Sequence, residues 1–149
     1  MSRFDPMEGL VKPTLTQGIS AKRKYRIDRE RTIDFMGEQA RVYATPMLVR
    51  DIEVTCREFL LGHLDAGEDS VGTRVEIDHL AATLLGMEVE VSVSVAEVKG
   101  RAVTFAVEAH DGIDAVCRGK HMRFVVDVKQ TEARLAAKAN KAREQAKLA

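Results

Sequence analysis

Across residues 73–128 apolar side chains recur at every second position, whereas just before them, across 46–64, they recur at helical spacing. That switch of period leaves few folds open, because a strand alternates its faces every residue and a helix returns to one face every three to four. In 88–98, Val89, Val91, Val93 and Val95 alternate with Glu88, Glu90, Ser92 and Ser94; in 101–109, Val103, Phe105, Val107 and Ala109 alternate with Ala102, Thr104, Ala106 and Glu108. Residues 73–79 put Val75, Ile77 and His79 on one face against Arg74, Glu76 and Asp78, and 115–128 put Val116, Met122, Phe124, Val126 and Val128 together. Val98-Lys99-Gly100-Arg101 and Asp111-Gly112 carry hairpin chemistry. The expectation is an antiparallel meander over 73–128 with one buried face.

A one-sided sheet needs a cover, and 46–64 is the only long apolar helix on offer. Leu48, Ile52, Cys56, Phe59, Leu60 and Leu64 form its stripe. Pro46 suits the first helical position, Thr45 suits the N-cap, and Ala66-Gly67 supplies a stop. The fold class is therefore α+β, and 149 residues suit a single domain, 1–149. Residues 21–27 are a candidate first strand, 28–40 a loop or short helix lying over something, and 1–20 an extended arm. Residues 130–149 favour a helix whose apolar content is mostly alanine, which predicts a solvated tail. Its excess of Lys and Arg over Glu leaves a nucleic-acid or membrane role as the alternative.

Composition narrows the partners. Basic and acidic side chains number 23 each, so there is no net field of the kind that carries nucleic-acid binding. No apolar run is long enough to span a membrane, and residues 1–13 have no signal-peptide core. The two cysteines, Cys56 and Cys117, form no CxxC pair and suit a reducing compartment, so a cytoplasmic location is expected. His63, His79, His110 and His121 have no metal-binding spacing, and no nucleotide-binding glycine loop is present.

Several residues break the pattern. His79 continues the inward face set by Val75 and Ile77, where an imidazole must find a hydrogen bond or bear a desolvation cost. It is either a satisfied strand-end histidine or a proton-transfer group. Glu53 borders the buried stripe of the helix, either snorkelling at its edge or held for acid–base work. Arg123 shares the parity of His121 and Val125 in a strand, where an arginine is usually solvated or paired. Gly67-Glu68-Asp69-Ser70-Val71-Gly72-Thr73 reads as a tight turn whose glycines serve the backbone or leave N–H groups free for a ligand.

These residues together resemble a known family. A long helix followed by an antiparallel sheet is similar to the hotdog fold, in which a sheet wraps a central helix. The chain more specifically resembles the fluoroacetyl-CoA thioesterase-like branch of the hotdog superfamily over about 43–126. The resemblance is carried by Tyr43-Ala44-Thr45, Glu53, Gly67 to Thr73, His79-Leu80-Ala81-Ala82-Thr83, Gly100-Arg101, Ala109 to Asp114 and Gly119 to Arg123.

The resemblance implies an acyl-CoA thioesterase acting on a short or small acyl group, with Thr45, Glu53 and His79 as the catalytic set. It implies Gly72 and Arg123 at the substrate site, and no cofactor beyond the coenzyme A of the substrate. In the segment before the helix the family's lid phenylalanines fall on Met36 and Gln39, with Phe35 out of register, so the resemblance leaves the acyl group open. Eight residues of helix separate Thr45 from Glu53 by about 12 Å, which predicts a site assembled across a homodimer. A hotdog enoyl-CoA hydratase and a non-catalytic acyl-CoA-binding module are the alternative readings.

Overall fold

The computed structural model describes residues 12–148. A first strand, β1 (Ser20–Arg26), precedes two short paired segments, β2 (Thr32–Ile33) and β3 (Val42–Tyr43). Helix α1 (Thr45–Leu61) follows, then β4 (Glu68–His79), β5 (Glu88–Lys99), β6 (Ala102–His110), β7 (Ala115–Asp127) and helix α2 (Val128–Leu148). The long strands form one antiparallel sheet in the order β1-β5-β6-β7-β4. Leu48, Ile52, Cys56 and Leu60 of α1 pack against Val91, Val93, Phe105 and Val107 of the sheet. This is the helix-covered antiparallel sheet expected from the period switch, arranged as the resemblance to the hotdog fold implies.

Four expectations are corrected. The meander covers only β5 to β7, because β4 pairs with β7 at the far edge rather than with β5. The stretch expected as a tight turn is mostly strand. Gly67, at φ +86°, makes the turn, and β4 begins at Glu68. Between Gly72 and Arg74 the pairing with β7 slips by one residue, leaving Thr73 as a β-bulge. In β7 the buried face is Cys117, His121, Arg123 and Val125, while Phe124 turns outward and is 43% exposed. That inward row is largely polar, so apolar alternation pointed to the wrong side. Helix α1 ends three residues early, its last turn tightening as Gly62 N–H donates to Phe59 O and His63 N–H to Leu60 O. Leu64 stays buried beyond the end, which is why the stripe seemed to continue.

Residues 1–11 of the expected arm lie outside the described residues. The rest of it packs down: Leu15 is buried, Thr14 Oγ1 and His63 Nδ1 are 2.9 Å apart, and Gly18 N–H donates to Val95 O. Helix α2 has no buried residue, in keeping with a solvated tail.

The segment 28–44 contains two single turns of 3-10 helix, Arg29–Arg31 and Glu38–Ala40, around β2. An acid on α1 ties it down. Asp51, 1% exposed, accepts hydrogen bonds from Arg31 Nε at 2.9 Å, Arg31 Nη2 at 3.1 Å and the Tyr43 hydroxyl at 2.6 Å. Beside it, Tyr25 and Thr55 hydroxyls meet at 2.8 Å, and Thr55 donates to Asp51 O at 2.7 Å. A buried carboxylate so enclosed holds by mutual satisfaction, and removing one member strands the others. Asp51→Ala should lower unfolding free energy by about 3 kcal/mol, read as a lower urea midpoint; an unchanged midpoint would show that the network carries no stability.

Candidate active site

Thr45, Val49, Glu53 and Arg57 recur every fourth residue of α1 and so share one face. That face lies along β4, as contacts at three levels demonstrate. At the N-terminal end, Thr45 Oγ1 and His79 Nδ1 are 2.8 Å apart. In the middle, Glu53 lies over Gly72. Toward the C-terminal end, Arg57 donates to both Asp69 carboxylate oxygens, at 3.0 and 2.7 Å.

Thr45 is not the N-cap. The helix starts at Thr45 itself, Ala44 precedes it in an extended conformation with no side-chain cap, and the Thr45 hydroxyl is spent on His79. The other imidazole nitrogen, Nε2, is buried without a hydrogen-bond partner among the described residues. The Tyr43 ring stands edge-on to the imidazole, centroids 6.2 Å apart and planes at 80°. Tyr43 is itself fixed through its hydroxyl to Asp51, and burial with that acid as neighbour pushes its own pKa well above the usual phenol value. Burial lowers the His79 pKa below its ordinary 6.5, so the ring is neutral near pH 7. A shallow hollow of about 340 Å³ opens here, walled by Ile33, Val42, Tyr43, Leu80 and Ala81 beside Thr45 and His79.

A second cluster lies two helical turns away. Arg123 is 5% exposed beneath α1. Its Nε donates to Ser70 Oγ at 2.7 Å, its Nη2 to Ser70 O at 2.8 Å, and its Nη1 reaches His121 Nε2 at 3.1 Å. The same Nη1 lies 3.8 Å from Glu53 Oε1. Gly72 is required by this packing: a Cβ there would collide with Glu53 Oε1 and come within 3.2 Å of His121 Cε1 and 3.3 Å of Arg123 Nη1. Ser70 and His121 were not singled out as site residues. The signal for His121 was its shared parity with Arg123 and Val125, two polar side chains on the face of a buried valine.

The chain thus brings Thr45 to His79, and Glu53 to Gly72 and Arg123, but leaves the two groups about 12 Å apart along α1. Among the described residues no three His, Cys, Asp or Glu side chains cluster to hold a metal ion. Phe35, Met36 and Gln39 are exposed on the segment before the helix. The carboxylate over Gly72 is the mobile end of its side chain, so Gly72→Ala should fold with little change in melting temperature while a crystal structure finds Glu53 displaced from Arg123. An undisturbed Glu53–Arg123 contact would refute the close packing described.

The profile of the fluoroacetyl-CoA-specific thioesterase family matches residues 27–129. The fluoroacetyl-CoA thioesterase of Streptantibioticus cattleyicolor is 35% identical over 94 residues, which are 63% of this chain and 68% of that one. A solved fluoroacetyl-CoA thioesterase superposes with a TM-score of 0.76 at 28% identity, covering 83% of this chain and 96% of the other. A thioesterase superfamily member from Thermus thermophilus superposes at 0.77 with 30% identity, covering 89% and 97%. The stretch matched by the family profile spans both clusters and stops as α2 begins. By sequence match and by fold, the chain belongs to the fluoroacetyl-CoA-specific thioesterase family.

Proposed function

We propose that this protein hydrolyses a small acyl-CoA thioester to the carboxylic acid and free coenzyme A. The observation that carries the reading is the Thr45–His79 pair: a neutral imidazole, held by a hydroxyl, with its second nitrogen buried and without a partner among the described residues, beside an open hollow. The relatives support the chemistry, one of them having been solved with fluoroacetate and CoA. Overall one water is consumed, the C–S bond breaks, and the acid and the CoA thiol are released. Either a water activated by Glu53 attacks the thioester carbon, or Glu53 attacks first, expelling the thiolate to give a mixed anhydride that water then hydrolyses; in both routes His79 moves the proton between water and the leaving thiolate, and Thr45 orients the imidazole. At the substrate site, Gly72 lets the Glu53 carboxylate come down against the backbone because it has no side chain, and the Arg123 guanidinium beside that carboxylate supplies positive charge. Coenzyme A enters as part of the substrate, with no further cofactor. Free, buried Cys56 and Cys117 suit a cytoplasmic protein, and no helix among the described residues is long and apolar enough to cross a membrane.

The separation of the two clusters is resolved by a second copy of the chain. Thr45 and Glu53 flank Val49 by four residues each, and Gly72 and His79 flank the Val75–Glu76 midpoint of β4. Among the described residues no strand lies beside the outer edge of β4, and Val71 and Val75 are exposed on that strand. A twofold axis near Val49 and Val75 would set Glu53 of the partner subunit opposite Thr45 and His79, completing two equivalent sites.

A thiol-release assay on a panel of short acyl-CoAs tests the chemistry. The wild type should liberate CoA, and His79→Ala and Glu53→Ala should each lose about a hundredfold or more. The acid limb of kcat/KM should have its midpoint below 6.5, because burial lowers the His79 pKa and protonation removes its basic form only below that value. Hydration of crotonyl-CoA without thiol release would favour the hydratase, and binding without turnover the non-catalytic module. Mixing His79→Ala and Glu53→Ala subunits tests the shared site. After exchange, heterodimers with one intact site should restore about a quarter of wild-type activity. A fully active monomer, or no recovery on mixing, would sink it.

A further inference from the structure

His121 is a buried titratable group that this mechanism does not use. It is 0% exposed in β7, and its ring is held from both sides. Nδ1 lies 2.8 Å from Arg74 O, a carbonyl that can only accept, so the proton sits on Nδ1. Nε2 is then a lone-pair acceptor, 3.1 Å from Arg123 Nη1, a group that can only donate. The two contacts fix one neutral tautomer and leave no freedom in the ring. Their protein partners are unequal in kind: Arg74 O belongs to the residue just past the bulge of β4, and Arg123 Nη1 is the nitrogen that faces Glu53 at 3.8 Å.

Arg123 is held by two residues, Ser70 and His121. Ser70 holds its Nε and Nη2 through the hydroxyl and the carbonyl, which pin the guanidinium from the side away from Glu53. Among the described residues Nη1 faces Glu53 at 3.8 Å and His121 at 3.1 Å, and of these two His121 is at hydrogen-bond distance. Gly72 completes the packing, with His121 Cε1 and Arg123 Nη1 both within 3.3 Å of where its Cβ would stand. Other groups acting on this pocket are Cys56 of α1, whose buried thiol is pushed up to about 12, and Asp69 and Arg57, which pair with each other. None of them holds Nη1.

We propose that His121 is a positioning residue, directing Arg123 Nη1 toward Glu53 and so fixing the carboxylate that the thioesterase site requires. The proposal rests on Glu53 serving the reaction as described above. Burial, then the charge of Arg123, lowers the His121 pKa below 6.5, so the acceptor nitrogen remains available at neutral pH. A protonated ring would turn two donors toward each other.

The two ring nitrogens can be replaced separately. Gln places an amide near the Nε2 position and can still accept from Arg123; Asn places one near Nδ1 and can bond Arg74 O but does not reach Arg123. Both are polar and of comparable bulk, so a purely structural role should treat them alike. The experiment measures kcat and KM for the acyl-CoA the wild type turns over, melting temperatures, and crystal structures of His121→Gln and His121→Asn. The expected result is a kcat within about threefold of wild type for Gln and at least about tenfold lower for Asn, with KM similar in both. The structures should retain the Arg123–Glu53 contact in Gln and lose it in Asn. Equal kcat in the two variants, or an Asn variant that keeps the contact, overturns the proposal. If the wild type releases no CoA from any thioester, the thioesterase reading fails, and the crystal structures alone decide whether His121 aims Arg123.

Discussion

One helix must cover a five-stranded sheet, and that obligation fixes how the helix is turned. The row Leu48, Ile52, Cys56 and Leu60 faces the sheet because only it can bury enough apolar surface. Each neighbouring residue is then rotated by about 100° to one flank or the other. Asp51 and Thr55 fall on the flank of β1 and the 28–44 segment, where Tyr25, Arg31 and Tyr43 satisfy them. Glu53 and Arg57 fall on the flank of β4, where Gly72, Arg123 and Asp69 await them. The structural anchor and the chemical site are thus two consequences of one apolar stripe. They also communicate, since the anchor holds Tyr43 and the Tyr43 ring stands edge-on to His79.

Much of this was legible in the sequence because it follows from local period. The stripe of α1 and the valine alternation of β5 and β6 each specify an element without help from elsewhere. What escaped reading was polar and buried. The run from Glu68 to Gly72 lacks an apolar alternation, since Ser70 is inward to bond Arg123 rather than to pack. In β7 the inward row holds Gly119, His121 and Arg123, so the few outward hydrophobics, Phe124 among them, set a misleading phase. Asp51 gave no warning beside Ile52, because its partners lie eight and twenty residues upstream. Thr45, Glu53 and His79 were conspicuous as residues, yet which of them touch depended on how α1 runs against β4.

The two clusters differ in physical character. Around His79 the walls are apolar, the ring is kept neutral by lost hydration, and space remains open beside it. Around Glu53 the floor is a tightly bonded cation and imidazole with no room for even a methyl group at Gly72. In the proposed reaction, the neutral imidazole at one end and the braced carboxylate at the other would divide the two tasks of thioester cleavage, moving protons and attacking carbon, between environments suited to each.

The bulge at Thr73 has a consequence for which lengths of β4 this chemistry can tolerate. Gly72 and His79 are seven positions apart, an odd number, and in an unbroken strand they would point to opposite sides. The single unpaired residue absorbs the odd count and returns both to the helix side. Side-chain identity at Thr73 is therefore a minor matter, whereas its presence as a residue is not. Losing it would leave every hydrogen-bonding group of β4 able to find a partner on β7 while turning one half of the site to the outside, a protein still folded and divided against its own chemistry.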